Sequence, residues 1–297
     1  MKSGYTLNSR QAEYLLASLI IARSTSYLCS KTALAVLGPF TLLSIRYLLA
    51  AGLLLPLLAA RRQRLRRSAI AGGLLLGAVY FAEMAAETVG LRRTDTSTAA
   101  LLVNAAIVLV PLMEAVIHRR PPRPAELAGA LTTLCGIGLL ALRSGGLAWQ
   151  GGEHLCILAA FSYAVYIILT ARLSWEEDPV LLGVIQVLLL AVCSPIAAVL
   201  TEAPELPDSG SVWGVILWLA VVCTVFGLTL QPVAQRHTSA ERTAVFCALN
   251  PLASAVMGYV LLNEHFGPLG LLGAALILAG ILLSNHHPHT SYSNLND

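Results

Sequence analysis

Six charged residues of this 297-residue chain lie well inside long apolar runs: Arg23, Lys31, Arg46, Glu83, Glu87 and Glu114. In a lipid-spanning segment each such charge costs about 2.5–3.5 kcal/mol on insertion scales, so they pair with one another or face a watered interior. Three cations against three anions suits pairing. The chemistry open to them is recognition of a charged solute and movement of a proton. Lys31 or Arg46 can take a carboxylate, Glu83 or Glu87 an ammonium. Glu83 and Glu87 stand one helical turn apart and share a face. Two carboxylates so close in a low dielectric repel unless one holds a proton or a cation compensates.

Spacing within the runs sharpens the grouping. Lys31 and Arg46 each lie six residues from one end of their run, and Glu83 and Glu87 lie eight and four from the same side. These four are expected to share one half of the membrane, with Arg23 and Glu114 at a deeper level, either as a structural pair or as charges of a cytoplasmic vestibule. At about 100° per residue, Arg23, Ser26, Tyr27, Ser30 and Lys31 fall in one sector of a helix. A polar stripe of that kind must face the interior. Tyr163 and Gln186, the latter in the position that corresponds to Arg46 in a repeat described below, complete the candidate substrate-binding or coupling set: Lys31, Arg46, Glu83, Glu87, Tyr27, Ser30, Tyr163 and Gln186. Gln231-Pro232 and Asn250-Pro251 read as helix kinks.

The elements that must position these residues follow from composition. The chain is 57% hydrophobic and only 12% charged, against about 25% charged in soluble domains, and its mean hydropathy is +0.73. A soluble fold of this size exposes too much surface to be so apolar. The expected class is an all-α integral membrane protein, because the apolar runs are too long and unbroken for the alternating strands of a barrel. With about 20 residues per crossing, ten transmembrane helices are predicted, over 14–37, 40–60, 69–91, 96–117, 125–143, 153–173, 179–200, 212–234, 241–262 and 268–285. The first run carries no small-residue cleavage pattern and is expected to stay as a membrane helix. Six cysteines form no CxxC pair and read as small packing residues, with no disulfide framework.

Placing the N-terminus in the cytoplasm puts thirteen lysines and arginines on the cytoplasmic side and three outside. That bias predicts a multi-pass protein of the cell (plasma or inner) membrane with both termini cytoplasmic. The polar stretch 286–297 is expected to be a cytoplasmic tail; its histidines read as solvated, and no metal site is expected.

Residues 88–140, moved by 144 positions, meet 232–284 without a gap: Arg92 on Arg236, Thr94 on Thr238, Pro124 on Pro268, Gly129 on Gly273, Gly136 on Gly280. A shift of 140 sets Pro39 on Pro179 and Arg46 on Gln186. The chain thus divides into five-helix repeats at 1–143 and 144–285. Five crossings per copy invert the second copy, an arrangement that accompanies alternating access around a midplane site.

The segment "STSYLCSKTAL", then Pro39 and "IRYLLAAGLLL", resembles the start of an EamA domain, of the drug/metabolite transporter superfamily. "RHTSAERTAVFCALNP" and "NEHFGPLGLLGAALILAGILL" resemble the closing part of a second such domain. Arg23-Ser24 departs from the Trp-Gly frequent in that family, and Arg120 stands where the second copy has Glu264. The resemblance implies ten helices around a central cavity and efflux of small metabolites; it implies no particular substrate.

No P-loop, HExxH or GxSxG motif is present, so the expected role is not enzymatic. It is secondary-active transport, as an exporter, of small metabolites, amino acid-like, by alternating access. No cofactor is expected beyond a coupled proton, and no nucleic acid partner. The alternative is a passive facilitator or channel for small polar solutes.

Overall fold

The computed structural model describes residues 8–94, 99, 102–119, 121–122, 124–143, 151–250, 252–253 and 268–285. Among them every long element is helical and there is no strand. In chain order the helices are α1 (Ser9–Arg23), α2 (Thr25–Leu34), α3 (Pro39–Ala60), α4 (Arg67–Arg92), α5 (Ala106–Ile117), α6 (Pro124–Arg143), α7 (Glu153–Glu176), α8 (Pro179–Thr201), α9 (Gly210–Gln235), α10 (Ala240–Phe246) and α11 (Pro268–Asn285). Five of them, α3, α4, α7, α8 and α9, are long and apolar enough to cross a membrane. Leu48, Leu53, Leu55, Ile196, Val199, Leu200 and Leu282 face outward, while Arg46, Glu83, Gln186, Thr224 and Gln231 are buried. Apolar outside and polar inside is the distribution a bilayer requires.

Two expected spans are interrupted. The first is interrupted for one residue at Ser24, which keeps helical dihedrals and its N–H bond to Ile20 O (2.9 Å) while its hydroxyl donates to Ile21 O (2.6 Å) and Thr25 Oγ1 donates to Ala22 O (3.0 Å). These back-bonds compete with the helical ladder, and α1 hands over to α2 beside Arg23. The eighth, α9, widens to a π-helix over Leu219–Phe226. There Thr224 Oγ1 donates to Leu219 O, five residues back, at 3.0 Å. The predicted spans 96–117 and 241–262 are seen in part, as α5 and α10. The tail 286–297, Arg120, Pro251 and Glu264 lie outside the described residues. All six cysteines are free, and Cys135, expected as a packing residue, is exposed on α6.

Equivalent helices of the two copies pack on each other antiparallel. α3 lies along α8. At one end Glu202, just past α8, accepts from the backbone N–H groups of Phe40 (2.8 Å) and Thr41 (2.9 Å) and from Thr41 Oγ1 (2.7 Å). It thereby caps α3, whose first residue is proline. At the other end Asp178 caps α8 through Val180 N (3.1 Å) and Leu181 N (3.4 Å). The same carboxylate binds Arg61 (2.7 Å) and Arg64 (2.9 Å) beyond α3. α6 lies along α11 in the same reciprocal way. A Cβ on Gly136 would stand 2.6 Å from Gly273 O, and one on Gly280 would stand 2.6 Å from Gly129 O. Since 129 corresponds to 273 and 136 to 280, the two contacts are images of one another. Only glycine allows backbones this close.

Candidate functional site

The break between α1 and α2, the middles of α3, α4 and α7, and the segments around Asn104 and Cys247 converge on one internal cavity. It is lined by Ile20, Arg23, Ser26, Arg46, Tyr80, Glu83, Met84, Glu87, Val103, Asn104, Tyr163, Cys247 and Asn250. Its volume is about 40 Å³, room for roughly three waters at about 10–15 Å³ each. Residues from both copies contribute, and the lining mixes two acids, two guanidinium groups, two carboxamides and apolar side chains.

The two arginines are held differently. Arg23 Nη1 donates to Gln231 Oε1 on α9 at 2.6 Å, and Nη2 to the Tyr80 hydroxyl on α4 at 3.0 Å. Gly227 makes room for it: a Cβ there would lie 2.9 Å from Arg23 Cδ. Arg46, 4% exposed, donates through Nε to Thr224 Oγ1 at 2.7 Å, in the π segment of α9. The Arg46 guanidinium carbon also lies 5.4 Å from the centre of the Tyr47 ring, a favourable cation–π distance. Arg23 and Arg46 thus both tie the first copy to α9. Below them Tyr80, Tyr166 and Tyr163 form an aromatic layer, with ring centres 4.7 Å and 6.2 Å apart in succession. The Tyr163 hydroxyl meets Cys247 Sγ at 3.3 Å.

Of the candidate binding set read from sequence, Arg46, Glu83, Glu87 and Tyr163 line the cavity, joined by Arg23 and Ser26 of the polar stripe. Glu83 is 2% exposed, and its Oε2 has no hydrogen-bond partner among the described residues. Lys31 is placed elsewhere. Its ammonium donates to Leu91 O (2.8 Å) and Thr94 O (3.2 Å), the open carbonyls at the C-terminal end of α4, where the helix dipole favours a cation. Ser30, half-buried on α2, is not among the lining residues. Gln186 is fully buried and donates to Leu228 O at 3.0 Å. Tyr27 belongs to α2, and its side chain lies outside the described residues.

The expected Arg23–Glu114 pair is not formed. Arg23 turns to Gln231 and Tyr80, whereas Glu114, near the end of α5, accepts from His118 Nε2 (2.8 Å) and lies 3.8 Å from Arg172 of α7. Matching depth placed the two charges at one level but said nothing of direction around the bundle. Gln231 and Asn250 are more than kinks: one holds Arg23, and the other lines the cavity with a buried Oδ1 that has no partner among the described residues. Tyr80, Asn104 and Thr224 were not singled out. Tyr80 carries a readable signal, because it stands three residues before Glu83 and seven before Glu87, on the face they share.

At the end of the bundle where α1 begins, three ion-pair clusters join the two copies. Glu13 of α1 meets Arg242 of α10 at 2.8 Å. Glu114 meets Arg172 through the arrangement above. Arg61 and Arg64 meet Asp178. Burial alone would raise the Asp178 carboxyl, but the Arg64 hydrogen bond and the Arg61 charge outweigh it and hold it below its usual range.

The model of the EamA-like transporter family matches the chain twice, over residues 11–142 and 150–286. A protein of Archaeoglobus fulgidus described as an uncharacterized transporter is 27% identical over 95% of this chain and 100% of its own length. A WAT1-related chloroplastic protein of Arabidopsis thaliana is 24% identical over 88% of this chain and 66% of its own. A solved crystal structure, 20% identical, covers 93% of this chain and 96% of its own with a TM-score of 0.78, which is a likeness of fold. Two matches to one family model, one on each five-helix copy, place the chain in the EamA-like transporter family.

Proposed function

We propose that the protein is a secondary-active carrier that exports small polar metabolites across the cell membrane by alternating access, with both termini in the cytoplasm and a proton as the coupling ion. The observation that carries this reading is the central cavity itself: two acids and two guanidinium groups of the first copy, faced by Tyr163, Cys247 and Asn250 of the second, line a space too small to be a permanent water-filled pore. A passive facilitator needs no buried acid that can gain and lose a proton; Glu83 supplies one. The Glu13–Arg242 and Glu114–Arg172 contacts at the end where α1 begins make that end the closed gate in this conformation. Opening it requires Glu13 to leave Arg242 and Arg172 to leave Glu114, while Arg23 exchanges its bond to Gln231.

The test is flux through the purified protein in sealed proteoliposomes loaded with a mixed pool of small metabolites. A carrier gives saturable counterflow, in which unlabelled solute on one side drives uptake of labelled solute from the other, and an imposed pH difference drives accumulation. Flux that rises linearly with concentration and shows no counterflow would replace this reading with a channel.

A further inference from the structure

Five arginines stand within seven residues at the turn between α3 and α4: Arg61, Arg62, Arg64, Arg66 and Arg67. The fold splits them. Arg61 and Arg64 are three apart across a short 3₁₀ turn, which sets such positions on one side, and both reach Asp178 of the second copy. Arg62, Arg66 and Arg67 are exposed, and no acidic side chain pairs with them among the described residues. Glu176 and Glu177 stand beside Asp178 in the α7–α8 turn, so five arginines face three acids and this surface stays cationic. What continues from it is apolar. α3 and α4 are both long and apolar enough to cross a membrane, which sets the turn between them at the level of the lipid headgroups. Arg67, Ile70 and Leu74 fall within about 60° on one face of α4, and Ile70 and Leu74 are exposed. Ala71, Leu75 and Ala78 widen that outward face. From Arg67 to Ala78 it runs roughly 16 Å, about the depth of one hydrocarbon leaflet. No side chain caps α4 at Arg66, and an open helix start favours an anion. A loop that only set orientation would need the positive charges, but not their placement at the head of an apolar stripe.

We propose that the α3–α4 turn is a headgroup site for an anionic glycerophospholipid, its phosphate on Arg62, Arg66 and Arg67 and an acyl chain along Ile70 and Leu74 of α4. Guanidinium groups suit a phosphate because their N–H groups meet two of its oxygens at once. A zwitterionic headgroup fits less well, since its ammonium would meet the same cations. The site is separate from the central cavity and holds whether or not the protein is a carrier.

The test is native mass spectrometry of the full-length protein in detergent, given equimolar phosphatidylglycerol and phosphatidylcholine with the same acyl chains. Each arginine near an anionic lipid surface is worth about fivefold, so the parent is expected to prefer phosphatidylglycerol at least about tenfold. Replacing Arg62, Arg66 and Arg67 together by glutamine should lower the preference to about twofold or less. Lysine at the same three positions should keep most of it, because the charge remains. Each single glutamine variant should lose about two- to fivefold, so a triple variant that fails to fold leaves the test in place. Arg92→Gln with Arg93→Gln removes two exposed arginines at the far end of α4 and should change nothing. Equal melting temperatures in phosphatidylcholine nanodiscs exclude misfolding as the cause. The assignment is overturned if the parent shows no preference, or if the folded glutamine variants keep the parent's preference. It is equally overturned if the far-end variant loses as much as the triple one. Displacement of the lipid by glycerol phosphate at the same concentration would assign the turn to a soluble anion instead.

Discussion

Arg23 and Gln231, 208 positions apart in the chain, meet at 2.6 Å in the middle of the bundle. One is a full charge and the other a neutral amide, so the contact satisfies the guanidinium without neutralising it. That suits a contact meant to be remade. Gln231→Leu leaves a buried charge short of a partner and is expected to cost about 1–3 kcal/mol, read as a lower melting temperature in detergent. Gln231→Glu turns the contact into an ion pair and is expected to raise the melting temperature and slow counterflow. A Glu variant that transports as fast as the parent would show that Arg23 keeps this bond throughout the cycle.

In the proposed proton coupling Glu83 is the group assigned to the proton, because it is the more deeply buried member of the acid pair. Glu83→Gln keeps the size and hydrogen bonding of the protonated acid. It is expected to abolish accumulation driven by a pH difference while exchange at equal pH survives. Proteoliposomes assayed with and without the gradient check this, and retention of gradient-driven accumulation would assign the proton elsewhere.

The gate between α1 and α10 is testable through Cys247, which lines the cavity. In a protein whose other five cysteines are replaced by alanine, Arg242→Gln removes the Glu13 ion pair, 11% and 18% exposed on its two sides. Labelling of Cys247 by a membrane-impermeant thiol reagent, added on the side where α1 begins, is expected to speed up several-fold. Unchanged labelling from that side would place the gate elsewhere.

Asp178 makes a prediction about pH. Its carboxyl is held below its usual range by Arg64 and Arg61 in spite of burial. A folded-state value below the unfolded one stabilises the protein above the unfolded value, and the contribution is lost as pH falls through the folded value. Asp178→Asn keeps a residue that caps a helix as well as aspartate does but loses the charge that binds Arg61 and Arg64, and is therefore expected to lower stability by about 0.5–1 kcal/mol near pH 7, the scale of partly exposed ion pairs. The gap between variant and parent should close as pH falls through the depressed folded-state value, below the ordinary aspartate range. Melting curves from pH 7 downward read this directly, and a gap that persists at low pH would mean the loss is one of packing.

The helical membrane class was legible because it depends on sums: apolar content, run length and the distribution of arginine. The pairing of α6 with α11 was half legible, since Gly129, Gly136, Gly273 and Gly280 recur at one offset, but only coordinates show the glycines touching. The charged set was legible as a set and not as pairs. Helical phase reports which side of α2 carries Lys31. It does not report that the end of α4 arrives there with open carbonyls. Likewise Thr224 carries no signal in an apolar run; it matters because the ladder of α9 widens there and turns its hydroxyl to Arg46.

The glycine crossing of α6 and α11 has a mechanical consequence. In the proposed alternating-access cycle each copy would take up the shape its twin had before. A contact between Gly136 and Gly273 would then become the contact between Gly280 and Gly129, which already has the same form. The joint would map onto itself and do no work. The couple α3 and α8, with a carboxylate at each end, is built the same way. In that cycle these two couples would be the stator, and the rotor would be drawn from the other helices, among them α1, α2, α4, α7 and the widened α9, which carry Arg23, Tyr80, Glu83, Tyr163 and Gln231.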